Sequence, residues 1–140
     1  MNSRKKFFYA FTSAYRPYIN RLDRELAPFN LFSSQWRIMI YLKENGPHTI
    51  SEIAGESNVE KPTTTRLVQK LHESGYVKSV QGEDKRVRMI ELTPRGHAVY
   101  KEVREKLDVF YSYLLDDMGD EEQKQLTELM NRISKRIKEY

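Results

Sequence analysis

The stretch Lys61-Pro-Thr-Thr-Thr-Arg-Leu-Val-Gln-Lys-Leu-His-Glu-Ser-Gly75 decides the fold. Proline is at home in a helix's first turn, where its missing N–H would have no partner anyway. Gly75 is placed to close the helix in a left-handed cap. One helix is therefore predicted over 62–74. Thr64, Leu67, Val68 and Leu71 share a face at helical spacing. The other side carries Thr65, Arg66 and Gln69, with Thr63 and Lys70 at its edges. Hydroxyls, an amide and cationic heads on one face suit a DNA major groove, where they reach phosphates and base edges. The same pattern also describes the solvated face of any amphipathic helix, so the neighbours must decide.

Upstream, Thr49-Ile-Ser-Glu52 matches a capping box. It opens a short helix ending near Ser57, with Ile53 and Ala54 inward. Ser57-Asn-Val-Glu60 is a tight connection, in which Val59 is expected to anchor the turn. Short helix, tight turn and longer helix is the helix-turn-helix arrangement. Downstream, strands are predicted from Tyr76 to Val80 and from Val87 to Leu92, joined by the polar turn Gln81-Gly-Glu-Asp-Lys-Arg86. This hairpin is a wing with Lys85, Arg86 and Arg88 near its tip. Arginine suits the minor groove, whose narrow A·T stretches concentrate negative potential. A short segment from His48 to Ile50 is expected to add one extended pairing to the hairpin.

Outside this region the chain is helical. Phe8, Phe11, Tyr15, Ile19, Leu22 and Leu26 recur at helical steps over residues 4–27, with Pro17 expected to kink or divide the helix. Its other face is basic. Ser33 or Ser34 is expected to cap a second helix that is apolar on nearly all sides and so central. Thr93-Pro94 opens a long helix carrying Val99, Val103, Leu107, Phe110 and Leu114. Asp120-Glu-Glu-Gln123 reads as a second capping box before a last helix with Leu126, Leu129, Met130, Ile133 and Ile137. The apolar stripes of the first and last helices exceed what a small winged domain covers. A homodimer built from both termini would bury them.

The composition narrows the class. The 140 residues fit one domain with extensions, and the formal charge of +4 is modest. No run approaches the ~20 apolar residues of a membrane span, and no signal peptide is evident, so a cytoplasmic location is expected. There is no cysteine, which excludes disulfides, thiolate metal sites and a cysteine redox switch within the chain.

The order of elements, with Lys61-Pro-Thr-Thr-Thr-Arg-Leu-Val-Gln-Lys-Leu, Gly75-Tyr-Val, and Asp84-Lys-Arg86 followed by Leu92-Thr-Pro-Arg-Gly96, resembles the MarR family of bacterial winged helix-turn-helix transcriptional regulators. The resemblance covers the whole chain. It implies a mainly α fold with a small β-hairpin wing, the winged domain (33–96) flanked by dimerisation helices at the N-terminus (1–32) and C-terminus (97–140). It further implies a homodimer on a pseudo-palindromic operator, acting as a repressor by the family's habit, and released by a small aromatic or amphipathic effector. Arg86 would be the minor-groove arginine, with Asp84 orienting the wing.

The DNA-contact candidates are thus Thr63, Thr65, Arg66, Gln69, Lys70, Lys85 and Arg86. Tyr15, Trp36, Tyr41, Phe110 and Tyr111 are candidates for an effector pocket, although packing accounts for most such aromatics equally well. His48, His72 and His97 lie on separate elements without a paired spacing, so neither metal nor cofactor is expected. No nucleophile elbow or phosphate-binding glycine loop points to an enzyme. The alternative is a winged helix used on protein rather than DNA. Structured RNA fits poorly, because its deep, narrow major groove excludes a helix.

Overall fold

The computed structural model describes residues 1–140 as six helices and one hairpin: α1 Ser3–Leu26, α2 Ser33–Asn45, α3 Ile50–Ser57, α4 Lys61–Glu73, β1 Val77–Gln81, β2 Arg88–Leu92, α5 Pro94–Leu114 and α6 Asp120–Glu139. Two compact units divide the chain, Met1–Arg104 and Glu105–Tyr140.

In the first unit α2 is the hub, packing on α1, α3, α4 and β2. It buries Gln35, Trp36, Ile38, Met39 and Leu42. Leu22, Leu26, Ile53, Val68, Leu71, Ile90, Leu92 and Val103 complete the core. The expected serine cap on α2 is absent. The N–H of Phe32 donates to Gln35 Oε1 at 2.8 Å, and the N–H of Ser33 donates to the Asp23 carboxylate of α1 at 2.7 Å. A side chain ten positions away thus does what a local serine was expected to do. Pro17 lies inside α1 without dividing it. The surrounding turn is exposed, so water can satisfy the carbonyl that Pro17 leaves unpaired.

Local chemistry fixes the helix-turn-helix. Thr49 and Glu52 form both bonds of the capping box, at 2.9 and 3.1 Å. Asn58 turns left-handed at φ +53° to end α3. Val59 is 36% exposed and does not anchor the turn. Buried Ile53 and Ala54 hold α3 instead. α4 begins with proline in its first turn and buries Thr64, Val68 and Leu71. Gly75, at φ +78°, ends the helix. Its N–H bonds to His72 O, and that of Tyr76 to Leu71 O, the paired bonds of a Schellman cap.

β1 and β2 pair antiparallel from Val77 opposite Leu92 to Gln81 opposite Arg88. His48 adds the expected isolated bridge to Ile90. Thr93 joins hairpin to helix: its hydroxyl donates to Gly75 O and accepts from the Gly96 N–H. A Cβ at Gly96 would lie 2.1 Å from Tyr76 O, so this approach of α5 to the strand requires glycine.

In the second unit α6 starts at Gly119 rather than through a box at Asp120. Gln123 donates its amide to Met118 O, and Asp120 pairs with Lys124 at 3.0 Å. Both side chains of the expected box are therefore used elsewhere. Leu126, Leu129, Met130 and Ile137 of α6 are exposed.

Candidate nucleic-acid interface

The outward face of α4 presents Thr65, Arg66, Gln69 and Lys70 to solvent, with Thr63 half-buried at its edge. The inward residues hold this face in place through packing. The Thr65 hydroxyl donates to Lys61 O at 2.9 Å, which leaves its oxygen as an acceptor and its methyl free. In this rotamer it can accept from a base amino group or touch a thymine methyl, and cannot donate to a phosphate. Arg66 rests one guanidinium nitrogen on Thr63 Oγ1 at 3.3 Å. No side chain caps the N-terminus of α4.

The wing tip is organised by one carboxylate. Asp84 Oδ1 accepts from the backbone N–H of Arg86 at 3.0 Å and from its Nε at 3.2 Å, while Oδ2 accepts from a terminal guanidinium nitrogen at 3.1 Å. These bonds from the Arg86 side chain and then its backbone hold the Asp84 carboxyl below its ordinary range. The Arg86 side chain is 89% exposed, so the clamp fixes its direction without hiding it. Lys85 is exposed beside it, and its carbonyl accepts from the Gln81 side chain at 3.0 Å. Arg88 crosses the hairpin to Ser79 Oγ at 3.2 Å.

The aromatic candidates have varied surroundings. Tyr15 is 55% exposed and stacks on Phe11. Trp36 is 2% exposed and stacks on Tyr100 at 5.1 Å, so its ring belongs to the core. Tyr41 meets His48 edge-on at 4.9 Å. Phe110 and Tyr111, in the second unit, lie against each other at 5.8 Å. His48 bonds to Gly46 O, His97 contacts Lys43 and His72 is exposed on α4.

A helix-turn-helix with an exposed polar second helix, joined to a hairpin with a clamped arginine at its tip, defines a winged-helix DNA-binding protein. The MarR family model matches residues 31–87. An uncharacterized HTH-type transcriptional regulator of Bacillus subtilis (strain 168) is 39% identical over 109 residues, covering 78% of this chain and 80% of that protein. A MarR protein of Staphylococcus aureus, solved in complex with salicylate and kanamycin, superposes with a TM-score of 0.86 at 26% identity, over 97% of this chain and 93% of that one. The transcriptional regulator BldR of Sulfolobus solfataricus gives 0.85 at 25% identity, over 97% and 99%. The chain belongs to the MarR family. It is a helix-turn-helix regulator of transcription and not an enzyme. No helix is long and apolar enough to cross a membrane.

Proposed function

We propose that the chain is a homodimeric repressor that reads a pseudo-palindromic operator. In this reading α4 enters the major groove with Thr63, Thr65, Arg66, Gln69 and Lys70, and Lys85 and Arg86 reach the adjacent minor groove. The observation that carries it is the Asp84 clamp, which aims an exposed guanidinium from the wing tip. A minor-groove arginine needs direction, because an unrestrained one loses more rotamer freedom on binding. A two-fold dimer spaces its recognition helices by roughly 34–36 Å, one turn of DNA.

Dimerisation is supported by apolar surface on the terminal helices. Phe7, Phe11 and Tyr15 stack in a row along α1 and are each at least 39% exposed. The outward face of α6 carries Leu126, Leu129 and Met130. Repression rather than activation follows the family's habit, and a cytoplasmic location suits such a task. Release by a small aromatic or amphipathic effector belongs to the same reading. The salicylate in the Staphylococcus aureus relative supports that class of ligand.

The test is binding to the DNA upstream of the protein's own gene across a salt series, with scrambled DNA as control. Selective binding by two chains per site and a steep salt slope is expected. Equal, weak binding to both DNAs would mean either a distant operator or a winged helix used on protein, and a genome-wide selection of bound fragments would decide between them.

A further inference from the structure

A cavity of about 320 Å³ lies between the α1–α2 connection and the end of the recognition helix, lined by Asn30, Phe32, Gln35, Lys70, Glu73 and Ser74. It shares no residue with the aromatic set Tyr15, Trp36, Tyr41, Phe110 and Tyr111. Its walls are tied across the fold. Asn30, left-handed at φ +60°, donates its amide to Ser74 Oγ at 3.1 Å. The Tyr76 hydroxyl donates to Phe29 O at 2.6 Å. Both bonds join the α1–α2 connection to the C-terminal end of α4.

Gln35 gives the cavity its polarity. It is 3% exposed, and its Oε1 is committed to the Phe32 N–H. That commitment fixes the orientation of the amide and leaves Nε2 as the free end. Nε2 makes no hydrogen bond within the protein, yet it is not sealed off as the indole nitrogen of Trp36 is. Such a donor at the edge of an otherwise buried amide takes its partner from water or from a ligand. Around this donor stand an ammonium, Lys70, and a carboxylate, Glu73, three positions apart on α4 and not paired with each other. Phe32 offers the one aromatic surface and is 59% exposed.

We propose that this cavity binds a small aromatic zwitterion of the aromatic amino acid type. Its carboxylate would meet Lys70 and Gln35 Nε2, its ammonium Glu73, and its ring Phe32. A plain aromatic acid would leave Glu73 facing an anion, and a plain amine would leave Lys70 facing a cation. The volume suits a molecule of roughly fifteen heavy atoms. Lys70 also lies on the proposed DNA face, so a bound ligand competes with phosphate for its ammonium. That consequence rests on the DNA reading, and binding of the ligand does not.

The experiment is calorimetric titration of the full chain, without DNA, with L-phenylalanine, L-tyrosine and L-tryptophan. At least one should bind with a Kd below about 1 mM, and the side-chain amide signals of Gln35 should shift in NMR spectra. Phenylacetate and phenethylamine should bind at least about tenfold more weakly, a difference of about 1.4 kcal/mol. The exposed substitution Glu73→Lys should invert the preference towards phenylacetate, and Phe32→Ala should weaken every ligand. No binding by any of the three amino acids would overturn the proposal, as would binding indifferent to Glu73→Lys and Phe32→Ala. Neither result would touch operator binding, which is measured separately.

Discussion

Arg86 and Asp84 form a bidentate pair on an exposed tip, where such pairs contribute little stability. The pair matters through direction. Arg86→Ala should therefore leave the melting temperature unchanged and weaken operator binding by ~1–3 kcal/mol, most at A·T-rich flanks. Fluorescence anisotropy on operators with A·T and G·C flanks measures this, and equal affinity of the folded variant would remove Arg86 from the interface. Gly96 is a different kind of residue. Its missing Cβ makes room for the Tyr76 carbonyl, and backbone against backbone has no rotamer through which to escape. Gly96→Ala should destabilise the chain by ~3 kcal/mol in urea unfolding. Gly55, with nothing near its absent Cβ, provides the contrast. Gly55→Ala should stabilise α3 by ~0.5–1 kcal/mol, and an equal loss at both positions would refute the steric account of Gly96.

At the level of elements, the capping box of α3 titrates. Glu52 accepts first from the Thr49 backbone N–H and then gains from the Thr49 hydroxyl, and both hold its carboxyl below the ordinary range. A carboxylate lowered by folding stabilises the fold above its unfolded pKa, and that contribution disappears as the pH falls through the folded value. Amide exchange in α3 should therefore speed up, relative to α4, below the ordinary carboxylate range. Glu52→Gln should flatten that dependence, and an unchanged acid response would place its origin elsewhere. The box was legible because both partners lie within four residues. Pro62, Gly75 and Thr93 were legible for the same reason. The cap of α2 was not, because Asp23 supplies it from another helix. Val59 misled because an apolar residue in a tight turn suggests burial, whereas Ile53 and Ala54 already fill that place. On the proposed DNA face, sequence spacing located the exposed side chains. It did not foresee that the Thr65 hydroxyl proton is spent on Lys61 O. The open amide of Gln35 was equally hidden, since it exists only once α1, α2 and α4 surround it.

For the whole molecule, the question is what the terminal helices are for. Leu129 is 48% exposed and Leu126 43%, on a face that also carries Met130. Contiguous apolar surface of this kind marks an interface more often than a solvent boundary. Magnitudes separate the two cases. In a monomer, replacing a half-exposed leucine by glutamate changes stability by only about ±0.5 kcal/mol. In a dimer the same carboxylate would be buried against apolar partners, at a cost of several kcal/mol. Leu129→Glu should therefore shift the chain towards monomer in sedimentation equilibrium while the winged unit keeps its fold and circular dichroism spectrum. Operator affinity should fall with it, because a monomer reaches one half-site and loses the gain from engaging both at once. An isolated half-site should still be bound with unchanged, weak affinity, which separates lost assembly from a damaged reading head. A variant that sediments as a stable dimer with full operator affinity would take this face of α6 out of the interface and leave the row of aromatics on α1 as the surface to substitute next.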